Sequence, residues 1–293
     1  MASILQRTPK ASKGIAALVC ALLLAGCATA PHQPSPRVPE LRLFDSPSAE
    51  VRWREQLAHL KSADVLMLGE QHDAAEHHEW EAQTVRELAA RGRLAAVVLE
   101  MADAGTSTRG LAATASETQV RELLSWNDEG WPWKSYGPVV MAAVRADVPV
   151  IGGNLPLGKM RATMQETRFD THLNAEAMQI QMDAIKIGHC DLLPESRLLP
   201  MARIQLARDE SMANAVQSAV KPGKTVLLIA GHGHVRRSVG VAQWLAPSLT
   251  VRAAIAQTGE VNDALKNEAD MFIITPAVPP KDHCAELRQH FKR

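Results

Sequence analysis

Val65 to His72 reads VLMLGEQH, and Val226 to His234 reads VLLIAGHGH. Each is a short apolar run that closes on glycine and then on acid or histidine. Two similar runs stand between them: Val97-Val98-Leu99-Glu100, and Val148-Pro149-Val150-Ile151 followed by Gly152-Gly153-Asn154. Short, continuously apolar runs rich in β-branched residues, separated by helical stretches, read as buried strands of a parallel sheet. The expected fold class is α/β, a mostly parallel sheet flanked by helices. Ligands of such sheets bind beyond the carboxyl ends of the strands. Glu70, His72, Glu100, Asn154, His232 and His234 are therefore expected at one edge.

Outward from these runs the chain punctuates itself. Ser46-Pro47 reads as an N-cap with proline at the first helical position, opening a helix to about Leu60. Ala74 to Arg91 reads as a long helix closed by Gly92. A loop at Asp103 to Thr108 leads to a helix from about Glu117 to Ser125. An aromatic segment, Trp126 to Tyr136, and a helix through Val144 follow. From Pro156 to Val220 the pattern is helical throughout, so about residues 156–220 form an expected helical insertion. Within it Leu198, Ala202, Gln205, Asp209, Met212, Val216 and Ala219 share one face. Leu249 to Ile255 and Phe272 to Thr275 read as further strands, with a helix around Val239 to Leu245.

The first residues read as targeting sequence. Arg7, Lys10 and Lys13 form a basic region, and Ile15 to Leu24 an apolar core too short for a permanent membrane span. Leu24-Ala25-Gly26-Cys27 resembles a bacterial lipobox, with cleavage before Cys27 and lipid on its thiol. Ala28 follows, with no aspartate, a pattern that resembles outer-membrane sorting. Residues 1–26 are thus read as a lipoprotein signal peptide and 27–46 as a Pro-rich tether. Residues 47–293 are read as one domain, long enough for a single large core. The expected location is the cell envelope, lipid-anchored at the outer membrane, facing either the periplasm or the exterior. Lys plus Arg number 32 and Asp plus Glu 32, so no basic footprint suggests nucleic acid. Cys190 and Cys284 are left after lipidation of Cys27. They are read as two buried thiols, with a bridge as the alternative in an oxidising compartment.

Glu70 and His72 stand two apart beyond one strand, and His232 and His234 repeat that spacing at another. In extended backbone each pair points to one side. Glu100 adds a carboxylate from a third strand. Imidazoles with a carboxylate can bind a divalent ion, here His72, His232 and His234 with Glu70 or Glu100. The same set can act as general acid and base, or grip an anionic ligand. No HExxH spacing is present. Trp126, Trp131, Trp133 and Tyr136 concentrate the aromatics of a chain with 4% aromatic residues and one tyrosine. They read either as a core plug or as a flat apolar pocket. A tyrosine phenolate is a hard donor suited to ferric iron, and it ligates haem in some proteins. His77 and His78 read as a solvated helix face, and His189 as a turn residue.

At these residues the chain resembles the ChaN-type haem-binding lipoproteins of the Tiki superfamily. The resemblance is carried by LGEQH at 68–72, VLEM at 98–101, W-x-W-x-x-Y-x-P at 131–138 and GGNLP at 152–156. It continues through HCDLLPE at 189–195, QLARDESMA at 205–213 and AGHGHV at 230–235. It implies an outer-membrane lipoprotein of haem or iron uptake, with haem bound at a homodimer interface. It also implies a tyrosine ligand to iron, which in this chain is Tyr136, and polar residues such as His72, His234 and Asn154 holding the cofactor. The wider superfamily implies an alternative: a periplasmic hydrolase, metal-dependent or acid/base, using Glu70, His72, Glu100, His232 and His234.

Overall fold

The computed structural model describes residues 38–44, 48–60, 62–279 and 282–290. The signal-peptide stretch, Cys27 and the Ser46-Pro47 cap lie outside the described residues. Seven strands form one sheet: β1 (Glu40–Arg42), β2 (Val65–Glu70), β3 (Leu94–Asp103), β4 (Val150–Asn154), β5 (Thr225–Gly231), β6 (Val251–Thr258) and β7 (Met271–Thr275). The order is β1-β7-β6-β2-β5-β3-β4, and every pairing is parallel. The expected α/β class holds. β1 comes from within the stretch read as tether, where Leu41 stands opposite Ile273.

The helices are α1 (Ser48–Leu60), α2 (Ala75–Ala90), α3 (Glu117–Leu123), α4 (Trp133–Arg145), α5 (Leu157–Thr163), α6 (Ala175–Gly188), α7 (Glu195–Ala219), α8 (His232–Val235) and α9 (His283–His290). Alternation along the strands divides the core into two layers. Leu66, Leu68, Leu227 and Ile229 pack with Trp53, Trp80 and Val140 under α1, α2 and α4. Val65, Met67, Val226 and Leu228 face the other way, onto Met212, Val216 and Ala219 of α7. Each fully buried Val, Leu or Met contributes about 1.5–3 kcal/mol. Both sheet faces are covered, which is why the strands read as unbroken apolar runs. α5 to α7 form the expected insertion, with a core of its own around Phe169, Leu173, Leu198 and Leu206.

Several sequence expectations need correction. The helix around Val239 is a single 3-10 turn, Val241–Trp244. The strand holding Val97-Val98-Leu99-Glu100 runs on to Asp103, and Glu100 stands just past Leu99, where its regular pairing with β5 ends. Trp133 and Tyr136 belong to α4 rather than to a loop before it. Gly92 closes α2 as expected, at φ 64°, where a Cβ is strained.

Cys190 and Cys284 are joined by a disulfide, with Cα atoms 5.6 Å apart across a separation of 94 residues. This overturns the preference for two free thiols. The bridge fastens α9 to the turn that ends α6. A Cys190→Ser/Cys284→Ser variant is expected to unfold with about 2–4 kcal/mol less free energy than the oxidised chain. Coincident urea midpoints for the two proteins would remove the bridge from the stability account.

Candidate functional site

The sheet order places β2, β5 and β3 side by side, and their carboxyl ends carry the polar groups. Glu70 stands opposite Gly231 in the β2–β5 register. Glu70 closes β2, and its side chain is fully buried. Its Oε1 receives His72 Nδ1–H at 2.8 Å and the Tyr136 hydroxyl at 2.9 Å. Its Oε2 lies 3.1 Å from His78 Nε2. Burial opposes a charge on Glu70, but the contacts with His72 and His78 prevail and hold its carboxyl down at about 2. Glu81, also fully buried, responds in the opposite sense. Burial and the neighbouring Glu70 charge keep it protonated well above the usual range.

A second group centres on Glu100. Its Oε2 accepts the Gly231 N–H at 2.7 Å, and its Oε1 lies 3.4 Å from His234 Nε2. His234 Nδ1 sits 2.6 Å from Asp209 on α7. Burial disfavours a charged His234, but the carboxylates of Glu100 and Asp209 overcome it and push the imidazole up to about 10. Glu100 is held well below its usual range against the same burial, chiefly by the charge of His234. Burial pushes Asp209 up to about 6. At neutral pH the arrangement is carboxylate–imidazolium–carboxylate.

His72 joins the two groups. Its Nε2 is 3.7 Å from Glu100, and its side chain remains 38% exposed. Burial lowers its proton affinity, but Glu70 and Glu100 raise it more. Its ring meets Trp131 edge-on at 4.8 Å. Gly231 lets His72 lie close to the backbone: a Cβ at that position would stand 2.7 Å from His72 Nε2 and displace the ring.

The expected pairing of His232 with His234 fails. Residues 232–235 form one helical turn, and residues two apart on a helix do not face each other. His234 turns into the carboxylates, while His232 turns to the Glu70 backbone carbonyl, 3.2 Å from Nδ1. Burial pulls the His232 imidazole below its ordinary range. This separation also breaks the proposed divalent set of His72, His232 and His234 with Glu70 or Glu100. Among the described residues no group of three or more His, Cys, Asp or Glu side chains is placed to hold a metal ion. Their ring nitrogens and carboxylate oxygens are largely committed to one another.

Tyr136 is buried, with its hydroxyl donating to Glu70. Burial first, and then the Glu70 charge and hydrogen bond, raise its phenol far above the ordinary range. That geometry removes the basis for Tyr136 as a phenolate ligand to haem iron. Asn154 ends β4, buried, with its Oδ1 unpaired and no hydrogen bond to the cluster. His77 and His78 are buried, not solvated. His77 Nδ1 accepts the Gln71 N–H, so its Nε2–H donates to Thr275 at 3.1 Å. Burial drives the His77 imidazole down to about 4.

His77, His78, Glu81 and Asp209 were not among the expected site residues. Two signals in the sequence bear on them. Asp209 is a charge inside the apolar stripe of α7. His77, Glu81, Thr84 and Leu88 recur at helical spacing on the buried face of α2.

Beyond this edge, a cavity of about 640 Å³ opens between α6, α8 and the segment after β6, with His232 and Arg236 in its wall. A parallel sheet with a buried histidine–carboxylate cluster at its carboxyl edge and a cavity beside it defines an α/β ligand-binding domain. The chain belongs to the haem-binding uptake family of the Tiki superfamily, ChaN, whose model matches residues 56–245. A solved structure described as cofacial haem binding to ChaN of Campylobacter jejuni is 22% identical. The match covers 74% of this chain and 89% of that one, with a TM-score of 0.63, and supports the fold. The MARTX toxin effector domain RRSP of Vibrio vulnificus is more distant, at 13% identity and a TM-score of 0.38, covering 79% of this chain and 40% of that one. No curated protein matches.

Proposed function

We propose that this chain is a lipid-anchored haem-binding protein of the bacterial envelope, handling haem as cargo in haem or iron uptake. Family membership supports the ligand class. The observation that carries the reading is the cavity beside α8. At about 640 Å³ it falls within the range of small-molecule sites, and α6 lines it with Ile180, Ala184 and Ile187, beside Asp183. Ile187, in that wall, is 74% exposed. Exposed apolar groups of this kind are suited to a flat tetrapyrrole and to a second copy of the chain. Bound haem supplies an apolar face, two propionates and an iron with axial positions for protein donors. The LAGC stretch ending at Cys27 supports anchoring, with the outer membrane as the membrane concerned. Among the described residues no helix is long and apolar enough to cross a membrane.

Hemin titrated into the lipid-free domain is expected to give a saturable, shifted Soret band, and loading is expected to convert monomer to dimer in sedimentation. A free-hemin spectrum at all ratios overturns the ligand. A monomer throughout overturns the dimer. Cys27→Ser should release the full chain from the membrane fraction, and retention there overturns the anchor.

One observation favours hydrolysis as a second reading. His72 is partly exposed and held between two carboxylates, which suits an acid/base pair. Ester and peptide turnover by the same preparation, lost in His72→Ala, would support it. No turnover sets it aside.

A further inference from the structure

His232 bonds to a backbone carbonyl of this edge and not to its carboxylates. A carbonyl oxygen only accepts, so the contact with the Glu70 carbonyl places the proton of His232 on Nδ1. The neutral ring then carries its lone pair on Nε2. That nitrogen makes no hydrogen bond among the described residues. A carbonyl on one imidazole nitrogen fixes the tautomer and the ring plane, as it does for histidines whose other nitrogen binds a metal.

The other histidines near the edge are differently employed. His72 donates to Glu70, His234 lies between Asp209 and Glu100, and both nitrogens of His77 are engaged. His232 also lines the cavity of about 640 Å³, together with Ile180, Ala184 and Ile187 of α6 and Leu265.

The acidic groups around that cavity already have partners. Asp183 accepts from Gln179, Asp263 pairs with Lys266, and Glu268 holds Arg236 and Ser238. Asn262 spends its Oδ1 on the Ala264 N–H, which leaves its amide hydrogens for an anionic group.

We propose that His232 is the axial protein ligand to haem iron in this chain, with the haem seated against α6. The proposal rests on the haem-binding reading above and names a donor other than Tyr136, whose hydroxyl is buried on Glu70. Coordination moves no proton. The Nε2 lone pair forms the bond to iron, and Nδ1–H stays on the Glu70 carbonyl. Glu70 thus holds the buried cluster with its side chain and orients the ligand with its backbone.

The test is hemin titration of the oxidised, lipid-free domain and of two variants, His232→Ala and His232→Gln, each checked for wild-type circular dichroism. Wild type is expected to show a nitrogen-ligated low- or high-spin spectrum. Both variants should lose it and bind hemin at least about tenfold more weakly, the low end of what disturbing a metal ligand's surroundings costs. Free imidazole should restore the spectrum in His232→Ala, which a merely structural role would not allow. Saturable wild-type binding with an unchanged spectrum and affinity in both variants overturns the ligand and leaves haem binding standing. No saturable binding by wild type overturns both. If His232→Ala misfolds, His232→Gln decides, because its side chain keeps bulk and a hydrogen-bonding group.

Discussion

His234→Ala is expected to lower the unfolding free energy at pH 7 by about 3–5 kcal/mol, the cost of removing one partner from a buried ionic group. The imidazolium stands 2.6 Å from Asp209 and 3.4 Å from Glu100, and both carboxylates are buried. Without it, two buried carboxyls face each other across a cavity that water can fill only in part, and Asp209 loses the charge that favours its ionisation. A paired replacement separates charge from space. His234→Leu combined with Asp209→Leu should recover part of the loss, since apolar groups of similar size often replace a buried pair at little cost. The cycle built from the two single variants and the double should show a coupling above about 1 kcal/mol. Additive single effects in urea unfolding would mean that the contact carries no energy.

The sequence was legible where one physical rule dominates. Strands buried on both faces must be apolar throughout, so VLML, VVLE and VLLIA declared themselves, as did the edge where their carboxyl ends meet. The cluster was legible in part for the same reason: Glu70, His72, Glu100 and His234 interrupt or end those runs. Its other half comes from helices, and there burial depends on which face packs inward. His77 and His78 are adjacent, and pattern alone did not decide that both are covered by α4 and the sheet. Asp209 was visible as a charge in an apolar stripe, but its partner is set by how α7 crosses β3 and β4.

The His232/His234 pair misled because period-two reasoning assumes extended backbone. The chain instead turns into α8 immediately after Gly231. Tyr136 misled because residue type suggested an iron donor while position on α4 put the hydroxyl on Glu70. The disulfide depends on a tertiary distance that spacing does not encode. β1 is three residues long and owes its existence to β7.

Stability of the haem-free protein should be greatest from about pH 4.5 to 6.5 and fall on both sides, and the sign follows group by group. Glu70 is depressed to about 2 from 4.5, so its contribution is present above 4.5 and lost as pH falls toward 2. Glu100, also depressed, acts in the same sense. His234 is raised from 6.5 to about 10, so its contribution is complete below 6.5 and lost as pH climbs to 10. His72, raised above 6.5, adds to that alkaline decline. Several groups act between these limbs and oppose one another. Glu81, raised well above 4.5, loses stability as pH climbs past that value, and His232, lowered, gains it as pH rises toward 6.5. His77, lowered to about 4, gains stability as pH rises from 4 to 6.5. Asp209, raised from 3.8 to about 6, loses it over nearly the same interval. A shift of one unit corresponds to about 1.4 kcal/mol, so the alkaline limb amounts to a few kcal/mol. Urea unfolding at half-unit steps from pH 3 to 10 should trace the plateau and both declines. In the His234→Leu/Asp209→Leu protein the decline above pH 6.5 should shrink to the part owed to His72 and Glu81. An alkaline limb of undiminished slope in that variant would place the titrating group outside the Glu100–His234–Asp209 arrangement.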